Sequence, residues 1–144
     1  VLASCAVVRR AGRILLTLRA HEPYAGMWDL PGGFLEAGET PADALHRELR
    51  EELDARIRHA RLVGFEPDRY GPDGFPTLTA VYQVSLGPGP LSCADDVAEA
   101  RWFPTDRIPF NRFAFPSMRR AVRAVLSSSR RPKNARARPR RRRG

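Results

Sequence analysis

Apolar and polar positions alternate over the first twenty residues. Ser4, Ala6 and Val8 fall on one side of an extended chain and Cys5 and Val7 on the other. Ala11-Gly12 offers a turn, and Ile14-Leu15-Leu16 resumes the apolar run. Because strand side chains point alternately to the two faces, residues 3–20 predict two strands. From 21 to 33 the alternation dissolves into Pro23, Gly26, Pro31, Gly32 and Gly33, which predict an irregular segment. Helical spacing starts at Pro41, and Ala42, Leu45, Leu49 and Leu53 recur on one stripe. Thr40 is placed to cap that helix, Pro41 suits its first turn, and Asp43 stands three residues after the cap. The helix is expected over Pro41 to Leu53. Strands are expected near 56–66 and 77–86, on either side of the turn-rich D-R-Y-G-P-D-G-F-P. Gly87-Pro88-Gly89-Pro90 breaks the chain, a short strand follows from Ala100 to Phe103, and a last helix spans about Phe113 to Leu126. Strands with one helix between them and another at the end predict an α/β layered domain.

The first helix has a second stripe. Glu48, Glu51 and Glu52 sit together beside the apolar one, with Arg47 four residues before Glu51. Acids at these spacings repel one another, so clustering them costs stability unless something positive binds there. A hard divalent cation such as Mg²⁺ takes carboxylate oxygens together with substrate phosphates. The loop Leu30-Pro31-Gly32-Gly33 places two glycines just ahead of this helix, where a backbone carbonyl is free to approach the same cation. No G-x-x-x-x-G-K-[ST] phosphate loop occurs in the chain.

Composition changes this picture little until the charge is located. The net charge is +9, but from Arg130 onward there are nine Lys or Arg and no acid. Without them the chain holds 16 basic and 16 acidic residues, so the body carries no compositional sign of a nucleic-acid surface. Residues 127–144 are expected to form a disordered Arg-rich tail that contacts nucleic acid only weakly, and residues 1–126 one domain. Two cysteines, Cys5 and Cys93, give no disulfide framework or metal spacing and suit a reducing, cytoplasmic compartment. No apolar run is long enough for a membrane span. The opening V-L-A-S-C-A-V-V-R-R reads as a strand, not a signal peptide.

Residues 33–55 read G-F-L-E-A-G-E-T-P-A-D-A-L-H-R-E-L-R-E-E-L-D-A. This resembles the Nudix box, G-x5-E-x7-R-E-U-x-E-E-x-G-U with U aliphatic. Gly33, Glu39, Arg47, Glu48, Leu49, Glu51 and Glu52 match at the right spacing, while Asp54 and Ala55 depart from it after the last carboxylate. W-D-L-P-G-G-F before the box and E-A-R-W-F-P near the end are also similar to that family, so the resemblance covers about residues 2–126. It implies an α/β/α sandwich with a mixed sheet between helices. It also implies hydrolysis of a diphosphate linkage in a nucleoside diphosphate derivative such as ADP-ribose, an NDP-sugar or a dNTP, using Mg²⁺, with Mn²⁺ as a substitute. Glu51 and Glu52 would be the main metal ligands and Glu48 a further ligand or the general base. The carbonyl of Gly32 or Gly33 would complete the shell, and Glu39 would pair with Arg47 to orient the cluster. Asp95, Asp96 or Glu99 would add an acid from outside the box.

Substrate identity is less legible. Tyr70 and Phe75 either stack on a base or cap the core. Arg19 either touches a phosphate or stays solvated. Trp28 and Trp102 sit in apolar local patterns and read as core. His21, His46 and His59 form no motif. Two other readings stand beside the hydrolase: a non-catalytic nucleotide-sugar sensor, and an RNA 5′-end pyrophosphohydrolase that holds its polyanion with the basic tail. A small nucleotide is the expected partner, a membrane is not, and a homodimer is an open arrangement.

Overall fold

The computed structural model describes residues 1–130. Its order is β1 (Leu2–Arg10), β2 (Arg13–Arg19), β3 (Trp28–Asp29), β4 (Gly32–Phe34), α1 (Pro41–Leu53), β5 (Ile57–Tyr70), β6 (Phe75–Leu86), β7 (Val97–Pro104), a 3₁₀ turn at Phe110–Arg112, and α2 (Pro116–Arg130). The expected irregular segment holds two very short strands, β3 and β4. β5 runs four residues beyond the expected end at 66, and α2 carries on past Leu126 to Arg130. The rest of the expected tail lies outside the described residues.

The seven strands form one mixed sheet in which β1 is central. β1 pairs in parallel with β6 and antiparallel with β2 and β4, and β5 pairs antiparallel with β6. The alternation in β1 sorts its side chains. Cys5 and Val7 join Ile14, Leu16, Trp28 and the α2 residues Met118, Val122 and Val125 on one face. Ala6 and Val8 join Leu15 and the α1 residues Leu45, Leu49 and Leu53 on the other. A helix thus covers each face, which is the expected α/β/α sandwich. Trp28 is buried, and Trp102 packs at the edge of the α1 core.

Helix α1 begins as its sequence dictates. Thr40 Oγ1 accepts the Asp43 N–H at 3.2 Å, and Asp43 Oδ2 accepts the Thr40 N–H at 3.0 Å. The buried stripe is Ala44, Leu45, Leu49 and Leu53, and Ala42 is exposed. The three leucines are buried as expected, and Ala44 takes the place expected of Ala42. Burial of each of the three leucines contributes about 1.5–3 kcal/mol. At the other end Asp54 takes φ 50°, ψ 35°, the left-handed conformation expected of a helix exit. The Asp54 and Ala55 N–H groups donate to Arg50 O at 3.0 Å and Leu49 O at 3.2 Å.

Candidate active site

The loop from Asp29 to Glu39 and the outer side of α1 meet at one end of the sheet. Gly32 has φ 152°, and a Cβ there would lie 2.7 Å from Cys5 Cα, so only glycine lets β4 lie against β1. A Cβ on Gly33 would lie 2.6 Å from the Glu48 carboxyl carbon. The second glycine therefore makes room for the carboxylate.

Arg47 organises the acids around it. Its Nε donates to Glu39 Oε2 at 2.7 Å and one terminal nitrogen to Glu39 Oε1 at 2.9 Å and Phe34 O at 3.1 Å. The other terminal nitrogen donates to Glu48 Oε1 at 2.9 Å and Glu51 Oε2 at 3.2 Å. These bonds hold Glu39 ionised, below the usual carboxylate range, and raise Arg47 further. The three stripe glutamates do not converge equally. Glu51 is 59% exposed on the outer side. Glu52 turns inward, accepts the Gly32 N–H at 3.3 Å and lies beside Glu48. Burial pushes Glu52 well above the usual carboxylate range, and the neighbouring Glu48 adds to it.

Glu48, Glu52, Gly32 and Gly33 line a cleft of about 580 Å³. Arg19 and Tyr70 line it too, and Arg19 is half-buried with its guanidinium held by neighbours. It donates to Asp29 Oδ2 at 3.1 Å, to Pro23 O at 2.9 Å and to the Tyr70 hydroxyl at 3.4 Å. Tyr70 stacks on Phe115 at 5.6 Å and meets Phe34 edge-on. Phe75 packs against Tyr70 at the rim, outside the cleft lining. Of the three outlying acids, Asp96 lines the cleft and is 4.0 Å from His21 Nε2. Glu99 is bonded to Arg101 at 2.8 Å, and neither it nor Asp95 lines the cleft.

The NUDIX domain model matches residues 1–125. The chain belongs to the Nudix family. It is 34% identical over 105 residues to a Methanocaldococcus jannaschii protein named ADP-ribose pyrophosphatase, covering 72% of this chain and 61% of that one. It is 33% identical over 108 residues to a Mycobacterium tuberculosis protein named putative 8-oxo-dGTP diphosphatase 2, covering 68% of this chain and 77% of that one. The crystal structure of a MutT NUDIX hydrolase from Burkholderia pseudomallei superposes with TM-score 0.78 at 29% identity, covering 86% of this chain and 96% of that one. The chain thus spans about three fifths of the methanogen relative's length.

Nudix hydrolases generally use divalent metal ions. Among the described residues of this Nudix chain, no three Asp, Glu, His or Cys side chains are gathered as a metal cage. The Glu48–Glu52 pair nevertheless fits a cation: both carboxyls line the cleft beside Gly32 and Gly33, and a divalent ion there would offset the desolvation and repulsion that push Glu52 above the usual carboxylate range.

Asp29 is a cleft residue outside the box. It lines the cleft, half-buried beside Arg19, and desolvation raises its pKa to about 6 although Arg19 opposes the shift. The signal for it was a lone acid inside the apolar W-D-L-P, a context in which an unpaired carboxylate is costly. Asp68 was also missed; its Oδ2 accepts the Ser117 N–H at 2.8 Å and seats the start of α2 beside the cleft.

Proposed function

We propose that this Nudix domain hydrolyses a diphosphate linkage in a nucleoside diphosphate derivative, with Mg²⁺ or Mn²⁺ bound at Glu48 and Glu52. The observation that carries this reading is the inward Glu48–Glu52 pair at a cleft wall beside Gly32 and Gly33, braced by Arg47 and Glu39. The names of the relatives, ADP-ribose pyrophosphatase and putative 8-oxo-dGTP diphosphatase, support the same class of linkage.

In this reading the bound cation supplies neutralisation of phosphate charge and a lowered pKa for attacking water. Glu48 and Glu52 would hold it, and the carbonyl of Gly32 or Gly33 would add a neutral oxygen. Glu51, exposed on the outer side and bonded there to Arg47, would have to turn inward to join them. Water oxygen bonds to phosphorus, the bridging P–O bond breaks, and a glutamate takes the water's proton. Arg47 keeps Glu48 and Glu51 in place while Glu39 keeps Arg47 in place. Tyr70, Phe34 and Phe115 form an aromatic wall for the nucleoside end, and Arg19 fixes Tyr70 through its hydroxyl. Asp96 is the outlying acid with access to the cleft.

The test is a turnover screen over ADP-ribose, NDP-sugars, dNTPs, dinucleoside polyphosphates and capped RNA, with and without Mg²⁺ or Mn²⁺. Cation-dependent release of a nucleoside monophosphate or of pyrophosphate from at least one of them is expected. Turnover that persists in chelator, or in Glu52→Gln, would overturn the assignment.

A further inference from the structure

Strand β5 has one edge without a neighbour. The sheet order ends on it, and among the described residues it pairs with β6 alone. At 14 residues it is a long edge, and an open edge is a template for another chain. Two large apolar side chains stand on it in the open, Leu62 at 46% exposure and Phe65 at 51%. Both lie on the α1 side of the sheet, outside the area that α1 covers. Leu62 is opposite Tyr82, which packs on the α1 core. Phe65 is opposite Ala80, whose other neighbour Ser4 donates to Pro41 O. The two share a side despite their odd spacing because a bulge between Leu62 and Gly64 inserts one residue. The α2 side of the same strand is charged. Glu66 and Asp68 bond to Arg120 and Ser117 there, and Arg61 bonds to Gln83 at 3.1 Å, opposite Val7 of the α2 core.

The direction of the β5 backbone follows from its neighbours. The Leu78 N–H donates to Val1 O at 2.9 Å, so Leu78 turns its backbone groups away from β5. Its partner Pro67 therefore turns its own to the free edge, which suits a residue with no N–H to give. By the same alternation Phe65 points outward, and so, beyond the bulge, do Leu62 and Ala60, opposite Tyr82 and Val84. Let two copies of β5 run antiparallel about a two-fold axis between Val63 and Gly64. The outward residues then meet in pairs, Leu62 with Phe65 and Ala60 with Pro67. Each Leu62–Phe65 pair can exchange two backbone hydrogen bonds. The Pro67 carbonyl already accepts from Arg120, so the Ala60–Pro67 pairs add little. In this register Arg61 faces Glu66 and His59 faces Asp68, because β5 is basic before its bulge and acidic after it. One like-charged pair, Arg58 with Arg69, falls at the exposed ends, where solvent and salt screen it. A shift of two residues sets Leu62 against Val63 or Phe65 against Gly64 and breaks the Arg61–Glu66 match.

We propose that the open edge of β5 is where a second copy of this chain docks, strand against strand, with Leu62 and Phe65 packed on one side and Arg61 paired with Glu66 on the other. Such a contact is isologous, so each favourable pair occurs twice. Cross-strand pairs of apolar side chains and of opposite charges are the interactions that stabilise a ladder. An unrelated strand fits this edge poorly, since a bulge and a proline each interrupt an ordinary ladder. A second copy brings the same bulge to the axis and sets its own proline against Ala60. The surface is separate from the proposed metal-binding acids, and none of Arg61, Leu62, Phe65 and Glu66 lines the cleft, so it stands or falls apart from the proposed hydrolysis.

The experiment is sedimentation velocity of the 144-residue chain from about 1 to 100 μM. A monomer–dimer equilibrium is expected, and Phe65→Lys should shift it to monomer. Arg61→Glu, which sets an acid opposite Glu66, should weaken the pairing about tenfold or more. Both positions are exposed, so circular dichroism should show the parent's fold in each variant. The register is read by oxidation in a Cys93→Ser background, which removes the exposed thiol. A directly opposed pair on hydrogen-bonded strands has its Cα atoms about 5.5 Å apart, within the span of a disulfide. Mixed Leu62→Cys and Phe65→Cys chains should therefore cross-link, and either chain alone should not. A chain that stays monomeric over the whole range would overturn the proposal, as would a dimer that neither Phe65→Lys nor Arg61→Glu weakens. So would a mixture with no cross-link, or with no more than the single variants give.

Discussion

Arg47 grips Glu39 side-on, Nε to Oε2 at 2.7 Å and a terminal nitrogen to Oε1 at 2.9 Å. The same guanidinium reaches Glu48 and Glu51 on its own helix and the Phe34 carbonyl in the preceding segment. One side chain therefore ties the loop, the helix and two of the proposed metal-binding acids into a single unit. A lysine has no planar fork and cannot meet these partners together.

Arg47→Lys should keep its charge yet fail as a brace. The Mg²⁺ concentration for half-maximal turnover is expected to rise about 10–100-fold, the range seen when groups that orient metal ligands are removed. A metal titration of turnover checks this. A variant with the parent's metal dependence would show that Arg47 does not position the acids.

With the proposed cation held at Glu52, stability should depend on pH and on metal together. The folded pKa of Glu52 is raised from the ordinary 4.5 to about 9, so folding takes up a proton there. That contribution is fully present below the unfolded value and is lost as pH rises toward the folded one. Without divalent cation the thermal midpoint should fall across this window, and Glu52→Gln should flatten the fall. Mg²⁺ should raise the parent's midpoint more near about pH 8 than near about pH 5, because cation and proton compete. The same variant should lose about a hundredfold or more in turnover. Melting curves over pH, with and without Mg²⁺, decide the first part.

The two glycines should fail in different ways. In Gly33→Ala the new methyl meets the end of the Glu48 side chain, which can swing aside. The fold should survive, while turnover drops by up to about a hundredfold from the misplaced carboxylate. In Gly32→Ala the methyl meets the β1 backbone at a φ of 152°, where nothing can swing. That variant should melt earlier or fail to accumulate as folded protein. Melting curves and turnover of the pair distinguish the two modes.

Asp54→Gly should stabilise the fold. Asp54 holds φ 50° at the helix exit, and its negative charge stands at the negative end of the helix dipole. Glycine removes both costs, for a gain of about 1 kcal/mol. The thermal midpoint should rise by about 4 °C. Turnover should be unchanged, since the box acids lie upstream.

Helix α1 was legible because its signals are local: Thr40, Pro41 and Asp43 for its start, Leu45, Leu49 and Leu53 for its buried face. β3 and β4 were not, since strands of two and three residues carry no period. β5 was read short because Pro67 and Asp68 look like turn formers. Pro67 is tolerated on an edge strand, and Asp68 is used by α2. A helical wheel places Glu48, Glu51 and Glu52 on one side, but it carries nothing about rotamers. Arg47 holds Glu51 outward, and Gly32 and Glu48 hold Glu52 inward. The Arg19–Asp29 pair joins residues of two strands across a loop, so no local pattern could announce it.

The parallel ladder between β1 and β6 also governs when the protein can fold. Leu2 lies opposite Leu78 and Val8 opposite Val84, partners more than seventy positions apart. During synthesis the apolar first strand must wait until β6 has left the ribosome before its central pairing can form. The distance in sequence makes that closure slow relative to helix or hairpin formation. Until then one edge of β1, rich in valine, stays open to other chains. The cleft wall is built on this late-formed ladder, so nascent chains stopped short of β6 should aggregate rather than acquire a binding site.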